Sequence, residues 1–109
     1  MSNPEHADAY LQYALFLNAD AICINLWGAD LEGTNFEGAN LAEASLKETN
    51  LSGANLKGTN LWRVYLLDAE GLTVEQLAVA KTLCEVIELD AHLLEAIREQ
   101  HPRVLENKD

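Results

Sequence analysis

Apolar residues recur every five positions through the middle of the chain. From residue 24 the sequence divides into INLWG, ADLEG, TNFEG, ANLAE, ASLKE, TNLSG, ANLKG and TNLWR, and VYLLD keeps the apolar positions of the pattern. The central residues of these blocks are Leu26, Leu31, Phe36, Leu41, Leu46, Leu51, Leu56, Leu61 and Leu66. A helix repeats near 3.6 residues and a strand repeats at two, so a period of five predicts neither of them.

Each block combines two inward positions with a bend. The residue two places before each centre is small or β-branched, so a short extended segment points both side chains to the same side. The next apolar position lies three residues further on, and the chain must therefore turn at every block boundary. Several blocks end in glycine, where a positive φ is accessible: Gly28, Gly33, Gly38, Gly53 and Gly58. Short sides joined by regular corners predict a coil, and stacked coils form a solenoid.

This pattern resembles the pentapeptide-repeat family, whose consensus is A(D/N)LXX. The resemblance is strong over residues 24–63 and looser over 19–68. It implies a mainly β fold, a right-handed quadrilateral β-helix with four blocks in each coil, and a length here of two to three coils. The implied register places residue n beside residue n+20, which pairs Glu37 with Lys57 and Asn35 with Asn55.

The N-terminal flank is predicted to be a helical cap. Asn3 and Pro4 form a helix start, with a side-chain acceptor followed by proline. The apolar residues that follow share one helical face: they are Ala7, Tyr10, Leu11, Ala14 and Leu15. We therefore expect an α-helix over 4–17 that covers the first coil of the solenoid.

The C-terminal flank is predicted to cover the other end. Thr73 and Gln76 form a capping box before a short helix near 74–81. Residues 83–89 predict one more extended segment, and Asp90 begins a last helix that Pro102 ends. This flank resembles the C-terminal extension of some bacterial pentapeptide-repeat proteins. We expect a single domain, with a helical cap over 1–18, the β-helix over 19–70 and a second helical cap over 71–109.

Composition excludes several classes of function. The 109 residues include 18 acidic and 7 basic side chains, a formal net charge of −11, which disfavours nucleic-acid binding by phosphate neutralisation. No apolar run approaches the roughly 18 to 20 residues that span a bilayer, so we expect no membrane insertion. Cys23 and Cys84 are too few for a disulfide framework, and we expect reduced thiols in a cytoplasmic protein.

No group of residues predicts catalysis, a metal site or a bound cofactor. None of the histidines lies at metal-ligand spacing from another histidine or a cysteine: they are His6, His92 and His101. The glycines are spaced by five for corners and form no phosphate-binding loop. The hydroxyl and carboxylate side chains of the repeat occupy wall and outward positions. We therefore expect that the protein is not an enzyme.

Two tryptophans break the polar outer pattern. Trp27 and Trp62 follow their centres by one place, where the strand period points them outward. An uncovered tryptophan on a β surface is unfavourable, so the terminal helices or a second subunit cover these rings, or the rings are binding hot spots. The n+20 register aligns Trp27 with Lys47 and Leu67. The candidate interface is therefore Trp27, Lys47, Trp62 and Leu67.

These observations predict a non-catalytic protein–protein interaction or scaffold module. The partner is a protein of unknown identity, and a homodimer is possible. The resemblance also suggests an alternative, an acidic DNA-mimicking regulator of type II topoisomerase (gyrase). Residues 24–63 hold five acidic and three basic residues, so most of the acidic surplus lies in the flanks. That distribution disfavours a long acidic face.

Overall fold

The backbone winds as a β-helix in which each coil takes about 20 residues. The computed structural model describes residues 7–107. Isolated parallel bridges join Tyr10 with Asp30, Asn35 with Asn55 and Ser45 with Tyr65. We number the coils 1 (8–27), 2 (28–47), 3 (48–67) and 4 (68–87). The bridges run from Tyr10 to Ile87, so the chain makes about four turns, and the expected two to three coils are too few.

Each corner is a four-residue turn that begins at a block centre. The N–H of Ala29 donates to the carbonyl of Leu26 at 2.9 Å, and the N–H of Thr34 donates to that of Leu31 at 3.0 Å. The third residue of the turn has a positive φ, which is 79° at Gly28. The second residue, Trp27 in this turn, does not have a positive φ. This combination defines a type II turn, which explains the glycine that ends many blocks.

The asparagine that precedes most centres closes the turn, and Asn35 also joins it to the next coil. The Asn35 Oδ1 atom accepts a hydrogen bond from the N–H of Glu37 at 3.0 Å. The same oxygen accepts one from Nδ2 of Asn55, one coil further on, at 3.1 Å. Asn55 also donates to Glu37 at 3.3 Å. The polar position of the repeat therefore performs two local tasks, closing its own turn and holding the register between coils.

The block centres fill the interior of the coil. All nine predicted centres are buried, with at most 4% of any side chain exposed. Threonines in the wall are buried as well, and their hydroxyls bind backbone carbonyls. Thr34 Oγ1 donates to the carbonyl of Leu11, and Thr59 Oγ1 to that of Phe36, both at 2.8 Å. A buried hydroxyl is tolerated here because its hydrogen bond is satisfied.

The predicted N-terminal helix over 4–17 is wrong for the residues that the structure describes; 4–6 lie outside them. Residues 7–17 belong to coil 1, where Leu15 pairs with Asn35 and the corner residue Tyr13 has a φ of 59°. The expected boundary of the β-helix at residue 19 is therefore too late.

The sequence of coil 1 fits two periods at once. Small residues at five-residue spacing continue the repeat backwards: they are Ala9, Ala14 and Ala19. Leu11 and Phe16 occupy the matching centres. Tyr10 and Leu15 fill positions that hold Asp or Asn in coils 2 and 3, and these apolar side chains complete the apparent helical stripe. Backbone hydrogen bonds to coil 2 stabilise the five-residue path of this segment instead of an α-helix.

The C-terminal segment interrupts and then covers the last coil. It contains α1 (Val74–Ala78), α2 (Ala91–Gln100) and a 3-10 helix (Pro102–Leu105). The capping box of α1 is present, with Gln76 N–H donating to Thr73 Oγ1 at 3.2 Å. α1 is shorter than the predicted 74–81 because the chain rejoins the coil, where Lys81 N–H donates to the carbonyl of Thr59 at 2.9 Å.

Side chains of this segment extend the core upward. Gln76 Nε2 donates to the carbonyls of Leu51 at 2.9 Å and Ala54 at 3.0 Å, so these hydrogen bonds hold the helix against coil 3. Four residues of the segment are buried in one cluster with the block centres: Leu77, Leu83, Ile97 and Val104. Among the described residues, this segment therefore covers the core at the upper end of the solenoid.

Gly53 and Gly71 distinguish two costs of adding a side chain at a corner, the left-handed backbone conformation and the steric clash with neighbouring atoms. Gly53 has a φ of 69° and nothing closer than 4.0 Å to an added Cβ, whereas at Gly71 (φ 81°) that atom would lie 2.6 Å from the Ser52 nitrogen. We expect Gly53→Ala to lower the free energy of unfolding by about 1 kcal/mol, the cost of the left-handed conformation. Gly71→Ala should cost clearly more, because backbone must move. Urea denaturation of both variants measures the difference, and equal losses would contradict this account.

Candidate interaction surface

One side of the β-helix carries the predicted outward column. This side is built by the blocks centred on Leu26, Leu46 and Leu66, and Trp27, Lys47 and Leu67 follow those centres. The N–H of Gly28 donates to the Lys47 carbonyl at 2.8 Å, and the N–H of Glu48 donates to that of Leu67 at 2.8 Å. The coil stacking therefore places Trp27, Lys47 and Leu67 one above another.

Trp27 is half-buried against the coil above it. Its indole Nε1–H donates to Glu48 Oε2 at 2.5 Å, and the Lys47 Nζ atom lies 5.0 Å from the centroid of its ring. The second distance is within the range of a cation–π contact. A hydrogen bond to Glu48 at the edge of the ring and the Lys47 cation on its face hold Trp27 against its own chain, at the junction of coils 2 and 3.

Tyr65 belongs to the same group, although the sequence analysis did not select it. The Lys47 Nζ atom lies 5.4 Å from the centroid of the Tyr65 ring, so a single ammonium contacts two aromatic faces. The signal was present in the sequence, because Tyr65 stands where most blocks have asparagine. The n+20 register also places it directly over Ser45, beside Lys47.

These side chains border a shallow depression of about 420 Å³. Its lining consists of Asn25, Trp27, Ser45, Lys47 and Tyr65, and we call this group the Trp27–Tyr65 surface. The Ser45 Oγ atom is buried there without a hydrogen-bond partner among residues 7–107. The surface thus offers two aromatic rings and one positive charge, a set suited to binding a partner's apolar or acidic side chains.

The structure does not bring Trp62 into this group. Trp62 lies on the neighbouring side of the β-helix, in the column that contains Ala42 and Cys84. The Arg63 guanidinium carbon lies 5.5 Å from the centroid of its ring. The two tryptophans therefore lie on different sides, and a single flat contact does not cover both.

Leu67 is 38% exposed at the top of the Trp27 column, but it lines a different cavity. That cavity has a volume of about 470 Å³ and lies between the last corner of coil 3 and the start of α2. Four carboxylates line it together with leucines: Asp68, Glu70, Glu88 and Asp90. Of the four predicted interface residues, Trp27 and Lys47 alone line the Trp27–Tyr65 surface.

The described part of the chain offers little for metal or thiol chemistry. Residues 7–107 contain no group of three or more histidine, cysteine or acidic side chains arranged to hold a metal ion. Cys23 is an exposed free thiol and Cys84 is a buried one. Within the same residues, no helix is long and apolar enough to cross a membrane.

Comparison with known families agrees with the coil geometry. The family model described as pentapeptide repeats matches residues 7–38 and 24–63, with eight copies. The chain is a pentapeptide-repeat protein. The family match begins at residue 7, which agrees with the assignment of residues 8–27 to a full coil.

Two solved structures of cyanobacterial pentapeptide-repeat proteins are similar to this one. HetL from Nostoc sp. strain PCC 7120, a protein involved in heterocyst differentiation regulation, is 35% identical over 58% of this chain, with a TM-score of 0.57. Rfr23 from Cyanothece 51142 is 40% identical over 52% of this chain, with a TM-score of 0.51. The matched part of this chain spans 30% of the HetL chain and 39% of the Rfr23 chain. None of the curated proteins matches the sequence.

The cation between the two rings should contribute measurably to stability. We expect Lys47→Met to lower the free energy of unfolding by about 0.5–1 kcal/mol, because the variant keeps the aliphatic stem and removes the cation–π contacts. Lys57→Met is the matched control, since Lys57 is a lysine at the equivalent repeat position on another side. Urea denaturation measures both. An equal effect of the two substitutions would show that the rings gain nothing from the ammonium.

Proposed function

We propose that this pentapeptide-repeat protein is a non-catalytic protein-binding module, and that the Trp27–Tyr65 surface contacts the partner. The observation that carries the proposal is the pair of aromatic rings around Lys47 on one side of the solenoid. Tryptophan and tyrosine are enriched among the residues that dominate binding energy.

The position of these rings on the coil lowers the cost of binding. The backbone at Trp27 and Lys47 is tied to neighbouring coils, and the Trp27 ring is held by Glu48 and Lys47. Association with such a pre-ordered surface loses less conformational entropy than ordering a loop does. A partner segment with an apolar or acidic side chain fits this surface, because Lys47 supplies a positive charge in a chain whose net charge is −11.

The assignment of a non-catalytic binding role rests on what is general to pentapeptide-repeat proteins. Pentapeptide-repeat proteins are generally interaction scaffolds without catalytic activity, and the repeat residues of this chain are occupied in building the coil. Free thiols at Cys23 and Cys84 are compatible with a reducing cytoplasm. HetL is involved in heterocyst differentiation regulation, and a regulatory binding role is the part of that description that we extend to this chain.

No observation favours the topoisomerase alternative. A DNA mimic requires a long, strongly acidic face, and the repeat region 24–63 has nearly balanced charge. The Trp27 side moreover presents Lys47 at its centre. We therefore do not carry that alternative forward.

Affinity capture from the native host tests the proposal. Immobilised wild-type protein is compared with the Trp27→Ser/Tyr65→Ser variant, with Trp62→Ser as the matched control on the neighbouring side. We expect proteins recovered by the wild type and by Trp62→Ser to fall about ten-fold or more with the double variant, because hot-spot residues dominate binding. Circular dichroism confirms that all three proteins fold. Equal recovery by the double variant would remove the surface from the proposal, and selective loss with Trp62→Ser would transfer the role to the other side.

A further inference from the structure

A leucine-lined cavity lies where the chain leaves the last coil of the solenoid. Ile87 forms the last bridge between coils, with Tyr65, and the backbone then enters α2 after its N-cap Asp90 instead of continuing over the corner 66–69. The space beside this corner is the cavity of about 470 Å³ that Leu67 lines. Its volume lies within the range of ligand pockets in proteins.

Backbone hydrogen-bonding groups at this cavity have no partner in the described part of the chain. In the lower coils, the N–H groups of Gly28 and Glu48 each donate to a carbonyl of the next coil at 2.8 Å. The equivalent N–H of Asp68 has no acceptor within residues 7–107. The carbonyl of Ala69 likewise has no donor there. An extended segment that takes the place of the next coil can satisfy both groups.

The charged residues that line the cavity are all acidic. Asp68 and Glu70 lie on the side of the corner, and Glu88 and Asp90 lie on the side of α2. Residues 68–90 contain six acidic residues and one basic residue, so the surrounding sequence does not neutralise them. A second copy of this chain, with a net charge of −11, is repelled from such a site, whereas a basic segment is attracted to it.

The rest of the lining is apolar. It consists of Leu66, Leu67, Ala69, Leu72, Leu89 and Leu93. All of these except Leu67 are at least partly buried, whereas the four acidic residues are exposed, so the carboxylates form a rim around an apolar floor. Lysine and arginine bury their aliphatic stems on apolar surface while their charged ends reach polar groups. An arginine can also form paired hydrogen bonds with one carboxylate. A basic residue beside an aliphatic one therefore matches this lining.

The carboxylates of the rim do not converge on one point. Within residues 7–107, no three histidine, cysteine or acidic side chains are arranged to hold a metal ion. A divalent cation needs several oxygen ligands around one centre. The basic side chains of a peptide are spread along its length, and each needs only one carboxylate. The arrangement of the rim therefore suits a basic peptide better than a metal ion.

We propose that this cavity is a second docking site, which binds a basic, extended segment of a partner protein. The backbone of the segment pairs with the Asp68 N–H and the Ala69 carbonyl, and its lysine or arginine side chains cross the leucines to reach the acidic rim. This inference goes beyond the proposed function, because the cavity shares no lining residue with the Trp27–Tyr65 surface and has the opposite charge.

Titration with defined peptides, followed by amide NMR of the isotope-labelled protein, tests the proposal. The probe is the end-blocked peptide Ser-Leu-Arg-Leu-Lys-Ser, and Ser-Leu-Glu-Leu-Glu-Ser is its control of opposite charge. We expect the basic peptide to cause saturable shifts of the Asp68 amide and of amides in 88–93, because the Asp68 N–H gains an acceptor. The acidic peptide should cause none.

Removal of two rim carboxylates should weaken this binding. Glu70→Gln/Glu88→Gln keeps the shape of both side chains and leaves Asp90, the N-cap of α2, in place. We expect the dissociation constant of the basic peptide to rise about five-fold or more. Glu95→Gln/Glu99→Gln is the matched control, since it removes the same charge from exposed positions of α2 that do not line the cavity. Circular dichroism verifies that both variants fold.

Several outcomes would overturn the proposal. Equal losses of affinity in the two double variants would show a general attraction to an acidic chain. Spermidine that shifts the same amides and binds as tightly as the basic peptide would identify a site for small polyamines. Absence of a saturable shift at Asp68, or shifts confined to the Trp27–Tyr65 surface, would remove the cavity as a docking site and leave the proposed function intact.

Discussion

The hydrogen bonds between backbone segments about 20 residues apart, 20 in the lower coils and 22 in the last, are the constraint on which the rest of this molecule depends. They join every coil to the next, from Leu11 and Asp30 at the lower end to Leu66 and Ile87 at the upper end. Such bonds form only if each corner turns by the same amount, which requires the positive φ of the third turn residue. They also require that no bulky side chain separates the coils, which explains the alanine and threonine of the wall. Core, corners and ladders are therefore consequences of one repeated pairing.

The same pairing converts a linear sequence into columns on the surface. Residues that are 20 apart become neighbours, so Trp27, Lys47 and Leu67 form one column, and Ser45 and Tyr65 lie in the column beside it. The outward positions of a block have no part in the core, and a chemical group can be assembled there without cost to the fold. The aromatic–cation group around Lys47 is assembled in this way.

Some non-glycine residues show how much strain the pairing sustains. Glu43, Glu48 and Arg63 occupy corner positions with φ values of 53–60°, a region that costs ordinary residues about 1 kcal/mol each. Glu48 is one of the residues that contact Trp27. A non-glycine residue at a corner thus destabilises the backbone slightly, but its side chain can make contacts that glycine cannot make, such as the hydrogen bond of the Glu48 carboxylate with Trp27.

The sequence by itself determined the five-residue path of residues 24–68, the burial of its centres and the capping box at Thr73, because each rests on local turn chemistry and on apolar spacing. The n+20 register followed from the resemblance to the pentapeptide-repeat family, which implies four blocks in each coil. Only the tertiary structure decided the path of residues 7–23. That segment fits both a helical stripe and the five-residue period, and the choice depends on hydrogen bonds to residues 20 positions away. The structure also separated Trp62 from Trp27 and added Tyr65 to Lys47. These relations depend on which side of the coil each block occupies. Spacing along the chain identifies that side only when the number of residues in a coil and the first block of the solenoid are known.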